Sequence, residues 1–469
     1  MRSPRLIDPP DRDPLLDESA LPFGAPDFSA IDPNAFLAAI RTGIAEARAD
    51  FEVIAANSTD PSFDNTVEAM ERAGSRLARA RRIYSTLTSV SASPAIRAIE
   101  PAISQMLIEH GVAVSHDRRL FNRVRSLWQR RHELGLNEAQ RRLLDDSYRG
   151  FIDGGAELEE ASKARFAEIA QQLAACSIAF GQNVLAATAD WELLLDAADL
   201  DGLPEPMRIA AARRAEARGH AGRYLLTLDR GDAEAVLTFS DRRDLRETMW
   251  RAFSARCDGG AHDNRALVDR ILALRGERAA LLGYASYADQ ALSDTMAEKP
   301  DAAMGLLMRV WAPALEQVAA EQAELQQVAT ATGADFAIAA WDWRYYAEHV
   351  RRARYSLDGG EVKRHLTLGK VRAAAFATGR RLYGLRFELR ETLPTWHGDV
   401  SAWAVSDRDG APLGLLYTDY FARSDKRGGA WMGSLRVQET LDGAVLPIVY
   451  LAANFARAPD GADTGLSID

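Results

Sequence analysis

Eight histidines could ligate a metal or move a proton: His110, His116, His132, His220, His262, His349, His365 and His397. A zinc-binding helix face needs two of them four residues apart, and no pair has that spacing. His132-Glu133 opens like such a motif, but Leu136 stands where the second histidine belongs, so the pair reads as an exposed helix end. His110 and His116 lie six apart and do not share a helical face. Glu348-His349 adjoins an aromatic cluster, where a lone imidazole is expected to pack rather than ligate. There is no Gly-x-Ser-x-Gly elbow, no P-loop and no Gly-x-Gly-x-x-Gly run after a strand. Cys176 and Cys257 have no neighbouring histidine to make a reactive thiolate, and two cysteines build no disulfide framework. Cys176 falls on the apolar stripe of a long helix and reads as a buried, inert thiol. These residues supply neither a catalytic group nor a metal ligand.

A different chemistry, backbone brought close to a ligand, is suggested by Leu415 to Ser434. A β-type run (Leu415, Tyr417, Asp419, Phe421) breaks into a cationic, glycine-bearing loop and resumes at Ala430-Trp431-Met432. Gly428 and Gly429 allow another backbone to approach, or allow φ to turn positive. Flanked by Lys426 and Arg427, the run Gly428, Gly429, Ala430, Trp431 is the candidate ligand-binding segment. A solvated hairpin loop on a sheet edge fits the same residues.

The elements that would position this segment are mostly helices. The chain has 469 residues, 47% hydrophobic and 26% charged, as in an ordinary folded protein. A net charge of −10 argues against a nucleic-acid partner. Met1 to Leu16 carries no apolar leader, and no run of about 18 apolar residues exists to span a membrane, so a cytoplasmic protein is expected. No repeat or low-complexity block is present.

Asp32-Pro33 starts the first helix, whose stripe is Phe36, Ile40, Ile44, Ala47, Phe51 and Ile54. A second helix is expected from Asp64-Asn65-Thr66, with Glu68 as capping partner of Asn65 and a stripe running from Val67 through Gly74 to Leu87. Further helices follow at 94–114, 119–131, 137–153 and 157–187. Asp201 to Pro206 breaks the pattern and marks a domain boundary. Beyond it, Tyr224 to Leu228 reads as a strand and 232–240, 241–256, 263–283, 286–294 and 301–331 as helices, with Pro313 expected to kink the last. Strands are expected at 385–391, 401–407, 412–421, 430–437 and 445–454, with Asp409-Gly410 a hairpin turn. The fold class is therefore α-rich α+β, a large helical body with a small β-sheet near the C-terminus. Its expected divisions are an arm (1–31), a helical domain (32–200) and a second domain (201–469).

Several blocks resemble one family. They are Asp13-Pro14-Leu15-Leu16 with Leu21-Pro22-Phe23-Gly24-Ala25-Pro26, Pro61-Ser62-Phe63-Asp64-Asn65-Thr66, Phe180-Gly181-Gln182-Asn183-Val184-Leu185, and Leu274-Arg275 with Arg278 to Tyr284. The series continues with Trp341-Asp342-Trp343-Arg344-Tyr345-Tyr346, Tyr420 to Arg423 and Lys426 to Met432. Each block is short, but their order over nearly the whole chain resembles the M3 zinc metallopeptidases, in the peptidyl-dipeptidase Dcp and oligopeptidase A branch. Ser424-Asp425 and Lys363-Arg364-His365 depart from the family pattern.

The resemblance implies a zincin-like architecture, two helical lobes around a channel that admits short peptides. In the family, zinc is held by a His-Glu-x-x-His helix and a later glutamate. That helix follows a segment like Asn454-Phe455 to Leu466-Ser467-Ile468-Asp469, and Asp469 is the last residue here. The expectation is thus an incomplete M3 catalytic domain at 201–469 that lacks the metal motif, binds no zinc alone and is inactive alone. Short peptides are the expected ligands, and a separate C-terminal fragment carrying the zinc site a possible partner. Helices 263–283 and 301–331 and one face of the sheet should then be left uncovered, with a tendency to associate. The alternative is a non-catalytic peptide-binding protein that keeps half of the channel and captures extended peptides on the strand after the glycine pair.

Overall fold

The computed structural model describes residues 12–355, 365–458 and 462–466. The first residues of the expected arm (1–11), Lys363-Arg364 and Ser467-Ile468-Asp469 lie outside the described residues. In chain order the helices before the first strand are α1 (Phe36–Ala55), α2 (Ala69–Arg72), α3 (Ser75–Val90), α4 (Pro94–Ser115), α5 (Arg118–Gln129), α6 (Glu138–Asp153) and α7 (Glu160–Asp190). Next come β1 (Glu192–Leu195), α8 (Glu205–Ala217), β2 (Tyr224–Thr227), α9 (Arg230–Phe239), α10 (Arg243–Ser254), α11 (Arg265–Leu281), α12 (Tyr287–Leu292), α13 (Pro300–Ala331) and α14 (Trp343–Tyr355). The last are α15 (Leu368–Tyr383), β3 (Arg386–Leu389), β4 (Ser401–Ser406), β5 (Pro412–Phe421), β6 (Trp431–Arg436) and β7 (Ile448–Phe455). The protein is an α-rich α+β chain with its main sheet near the C-terminus.

By contacts the chain forms two units, Met1–Ala174 with Gly369–Arg457, and Ala175–Leu368 with Ala458–Asp469. The division falls inside α7, and the Asp201 to Pro206 break lies within the second unit. In the first unit, one apolar core joins residues far apart in sequence. Leu15, Leu16 and Ala25 from the N-terminal arm, Phe36 and Ile40 of α1, and Ile83 and Leu87 of α3 pack with Leu415, Tyr417, Ile448 and Tyr450 of the sheet. The described part of the arm is thus a core element, ordered by burial of its leucines.

The second predicted helix is two pieces. Gly74 has φ +68°, a left-handed value that interrupts the helix between α2 and α3. The cap upstream is Ser62, whose hydroxyl accepts from the Asn65 amide while Asn65 reaches back to the Ser62 amide, so Glu68 has no part in it.

In the five-stranded sheet the order is β3-β4-β5-β7-β6. β4 and β5 form the expected hairpin, with Gly410 at φ +88°. β5 and β6 do not. β7 lies between them, parallel to β5 and antiparallel to β6, so 415–434 is no hairpin. The physical reason is visible in β7 itself, where Ile448, Tyr450, Ala452 and Ala453 are buried and favour a central place over an edge.

The second unit carries the β1-β2 ribbon, which sequence reading caught only in its second strand, and helices α8 to α14. Its α13 is continuous through Pro313. Along α13, Met304, Leu307, Met308, Trp311 and Leu315 stand exposed, Trp311 at 57%, and Val268 and Leu272 of α11 are exposed as well. In the first unit, the cross-strand neighbours Met432 and Leu451 expose one face of the sheet. Cys176 and Cys257 are free and half-buried, so the reading of Cys176 as a buried thiol is corrected: its stretch of α7 is only partly covered. Among the described residues, no helix is long and apolar enough to cross a membrane.

Candidate functional site

Period-two alternation along β5 points Leu415, Tyr417 and Asp419 to the same face, and all three are buried. Asp419 is 0% exposed and needs partners there. It receives hydrogen bonds from Trp396 Nε1 at 2.9 Å, from Arg423 Nη1 and Nη2 at 2.8 Å and from Lys426 Nζ at 2.8 Å. Burial pushes its carboxyl up, but the donors from Arg423, Lys426 and Trp396 together outweigh that and hold it below the usual carboxylate range.

This corrects one feature of the sequence reading. Lys426 does not flank a ligand cleft: its side chain is wholly buried, and its ammonium also donates to the carbonyls of Asp419 (2.9 Å), Phe421 (3.0 Å) and Ala453 (2.6 Å). It fastens the loop that leaves β5 to the end of β7. The same loop is tied to the end of α3, where Arg427 N–H donates to Ser89 O at 2.9 Å, Ala92 N–H to Asp425 O at 2.7 Å and Arg423 Nη2 to Val90 O at 2.7 Å. The cationic character left to solvent is that of Arg427, whose guanidinium lies 5.2 Å from the Trp431 ring centroid.

The four predicted residues form one continuous surface strip. Gly428, Gly429 and Ala430 are exposed, and Trp431, half-buried against the core, is the first residue of β6. β6 is the edge of the sheet, and among the described residues no strand pairs with its outer side. Gly429 takes φ +93°, and a Cβ added at Gly428 or Gly429 would meet nothing within 4 Å, so the space in front of them is open. Gly428→Ala should therefore leave stability within about 0.5 kcal/mol, whereas Gly429→Ala should cost about 1–2 kcal/mol in a urea unfolding titration.

The histidines do not converge. His349 meets Tyr345 edge to face with centroids 4.6 Å apart, His116 packs near Phe166 and His110 near Phe51, while His262 pairs with Asp190 at 2.8 Å. Among the described residues, no group of three or more His, Cys, Asp or Glu could hold a metal ion. These residues do not fit a zinc centre.

Sequence reasoning missed Asp419, Lys426 and Arg423 as the scaffold of this strip. The signal was an aspartate at an inward position of an alternating strand, which requires buried cations nearby.

Residues 236–468 match peptidase family M3, and residues 40–163 match the neurolysin/thimet oligopeptidase N-terminal domain. The chain belongs to the M3 peptidase family. Within it, the chain is 35% identical to the dipeptidyl carboxypeptidase of Salmonella typhimurium over 452 residues, covering 96% of this chain and 66% of the relative. To oligopeptidase A of the same organism it is 34% identical, covering 94% of this chain and 66% of the relative, and to the Escherichia coli dipeptidyl carboxypeptidase it is 32% identical. The chain thus spans about two-thirds of the length of these relatives.

Proposed function

We propose that this chain builds one wall of the peptide channel of an M3 peptidase of the peptidyl-dipeptidase or oligopeptidase A kind, acting on short unstructured peptides. One observation carries the reading: the exposed run Gly428 to Ala430 leads into an edge strand that, among the described residues, has no partner on its outer side and has open space before the glycines. An extended peptide can add to such an edge by main-chain hydrogen bonds, with specificity from flanking side chains such as Arg427 and Trp431. The names of the relatives, dipeptidyl carboxypeptidase and oligopeptidase A, support hydrolysis as the family chemistry.

The chain's own part is to bind and orient. Zinc, where the family has it, supplies the water-activating Lewis acid. We further propose that the described residues do not themselves hold the zinc and are inactive without a zinc site supplied from outside them. A non-catalytic peptide binder is the second reading, favoured by the same free edge.

Two measurements test this. Calorimetric titration with a short peptide should show binding, and its absence would overturn both readings. Metal analysis after dialysis should find well under one zinc per chain, with no dipeptide released from a peptide with a free C-terminus. A stoichiometric zinc with clean dipeptide release would overturn the proposed inactivity and leave the channel wall standing.

A further inference from the structure

We infer that Asn454 is the positioning residue that sets the conformation of the peptide-facing segment 427–431. The inference rests on the channel-wall reading above. In the antiparallel register of β6 and β7, Trp431, the first residue of β6, faces Ala452, and β7 runs on to Phe455 beyond the start of β6. Two residues past the last pair, Asn454 lies opposite Gly429. There the side chain takes over from the backbone ladder. Its Nδ2 donates to Gly429 O at 2.6 Å and to Arg427 O at 2.9 Å.

One amide nitrogen has two N–H groups, and both are used. The carbonyls they hold belong to Arg427 and Gly429, so the 427–428 and 429–430 peptide planes, on either side of the glycine pair, are fixed together. A glycine pair with nothing packed against it would otherwise sample many conformations. With the clamp in place, the strip meets a ligand already ordered, and binding is spared that entropy cost. Lys426 acts upstream of the strip and anchors the loop's base. Asn454 acts on the strip itself.

Chemistry distinguishes this role from mere packing. Aspartate has the shape of asparagine but, ionised, no donor, so in N454D a carboxylate would face two carbonyl oxygens. Protonated, it regains one O–H donor. N454D should therefore weaken peptide binding at neutral pH by roughly tenfold, the worth of one or two ordinary hydrogen bonds. The loss should shrink as pH falls through the carboxyl's titration, relative to the wild-type chain at each pH.

The experiment uses the full chain as wild type, N454D and N454A, with a short unstructured peptide carrying a free C-terminus as the probe. Amide hydrogen exchange over 427–431 is read beside calorimetric affinity from neutral to mildly acidic pH. Expected are faster exchange in both variants and a pH-dependent recovery of affinity in N454D alone. Unchanged exchange in N454A, or an affinity loss in N454D that ignores pH, would overturn the assignment. If N454D fails to fold, N454A carries the same exchange test. Should the wild type bind no peptide, the channel-wall reading fails, while the exchange comparison still decides whether Asn454 holds the strip.

Discussion

Replacing Lys426 by methionine is expected to destabilise the chain by about 3–5 kcal/mol, the cost of breaking a buried ion pair from one side. Methionine fits the length of the lysine stem but cannot satisfy what the ammonium leaves behind. The carbonyls of Asp419, Phe421 and Ala453 would each lose a donor, and the Asp419 carboxylate would keep only Arg423 and Trp396. Arginine is no rescue, since a planar guanidinium cannot reproduce the tight ammonium geometry at a fully buried site. Denaturant unfolding of K426M, D419N and the double variant should give a strongly non-additive cycle, the double variant recovering part of the loss. A K426M loss below about 0.5 kcal/mol would show that the lysine is free at the surface after all. The sign of the pH effect follows from Asp419. Its folded-state carboxyl titrates below the ordinary value, so its contribution is complete above about pH 4 and is lost as pH falls through the lower folded value. D419N should accordingly show a shallower acid-induced loss than wild type.

Asp342→Ala should be of similar size, about 3–5 kcal/mol, and for a related reason in the second unit. Asp342 is 0% exposed and accepts from Arg243 Nε at 3.1 Å and Nη2 at 2.9 Å, from Arg246 Nη2 at 2.9 Å and from the Ala339 amide at 2.9 Å. Arg246, only 2% exposed, would be left with a single carbonyl partner, Ser240 O, against its charge. Burial raises the Asp342 carboxyl, but the bonds from Arg243, the Ala339 amide and Arg246 prevail and hold it below the usual range. Asp342→Asn keeps the size and one acceptor but loses the charge, so its loss should be smaller than that of alanine. Chemical denaturation followed by tryptophan fluorescence reads both, since Trp341 lies beside this cluster with Arg243 5.4 Å from its ring. Equal losses for the two variants would show that the carboxylate's charge alone, and neither its size nor a remaining acceptor, is what the arginines need.

Local features were legible where one interaction decides them. The Asp409-Gly410 turn, the inward alternation of β5 and the stripe of α1 depend on neighbours a few residues away, and the structure has them where the sequence puts them. Features set by distant partners were not. Nothing in 415–434 says that β7, still unread at that point, will separate its two strands. Lys426 looked like a loop cation because its four acceptors lie in the last residues of β5 and near the end of β7, which only the fold brings together. Gly74 fell on an apolar stripe, and the stripe hid a left-handed break that Ala47 crowds from below, 3.0 Å from where a Cβ would sit. The candidate strip itself was legible through its glycines, while the residues that shape it were not, because an asparagine at a strand's end has no sequence signature of its own.

The strand order has a consequence for how the chain assembles. During synthesis β5 and β6 are complete before β7 exists, yet each pairs with β7 and neither with the other. Two strands joined by nine residues would ordinarily zip into a hairpin at once. In the folded sheet they stand about two strand spacings apart, close to 10 Å, with β7 between them. The bonds from the loop to the end of α3, Arg427 to Ser89 and Ala92 to Asp425, are already available to the nascent chain and can hold that gap open. Lys426 and Asn454 act as latches between the loop and β7, Lys426 donating to Ala453 O of β7 and Asn454 reaching from β7 to the carbonyls of Arg427 and Gly429.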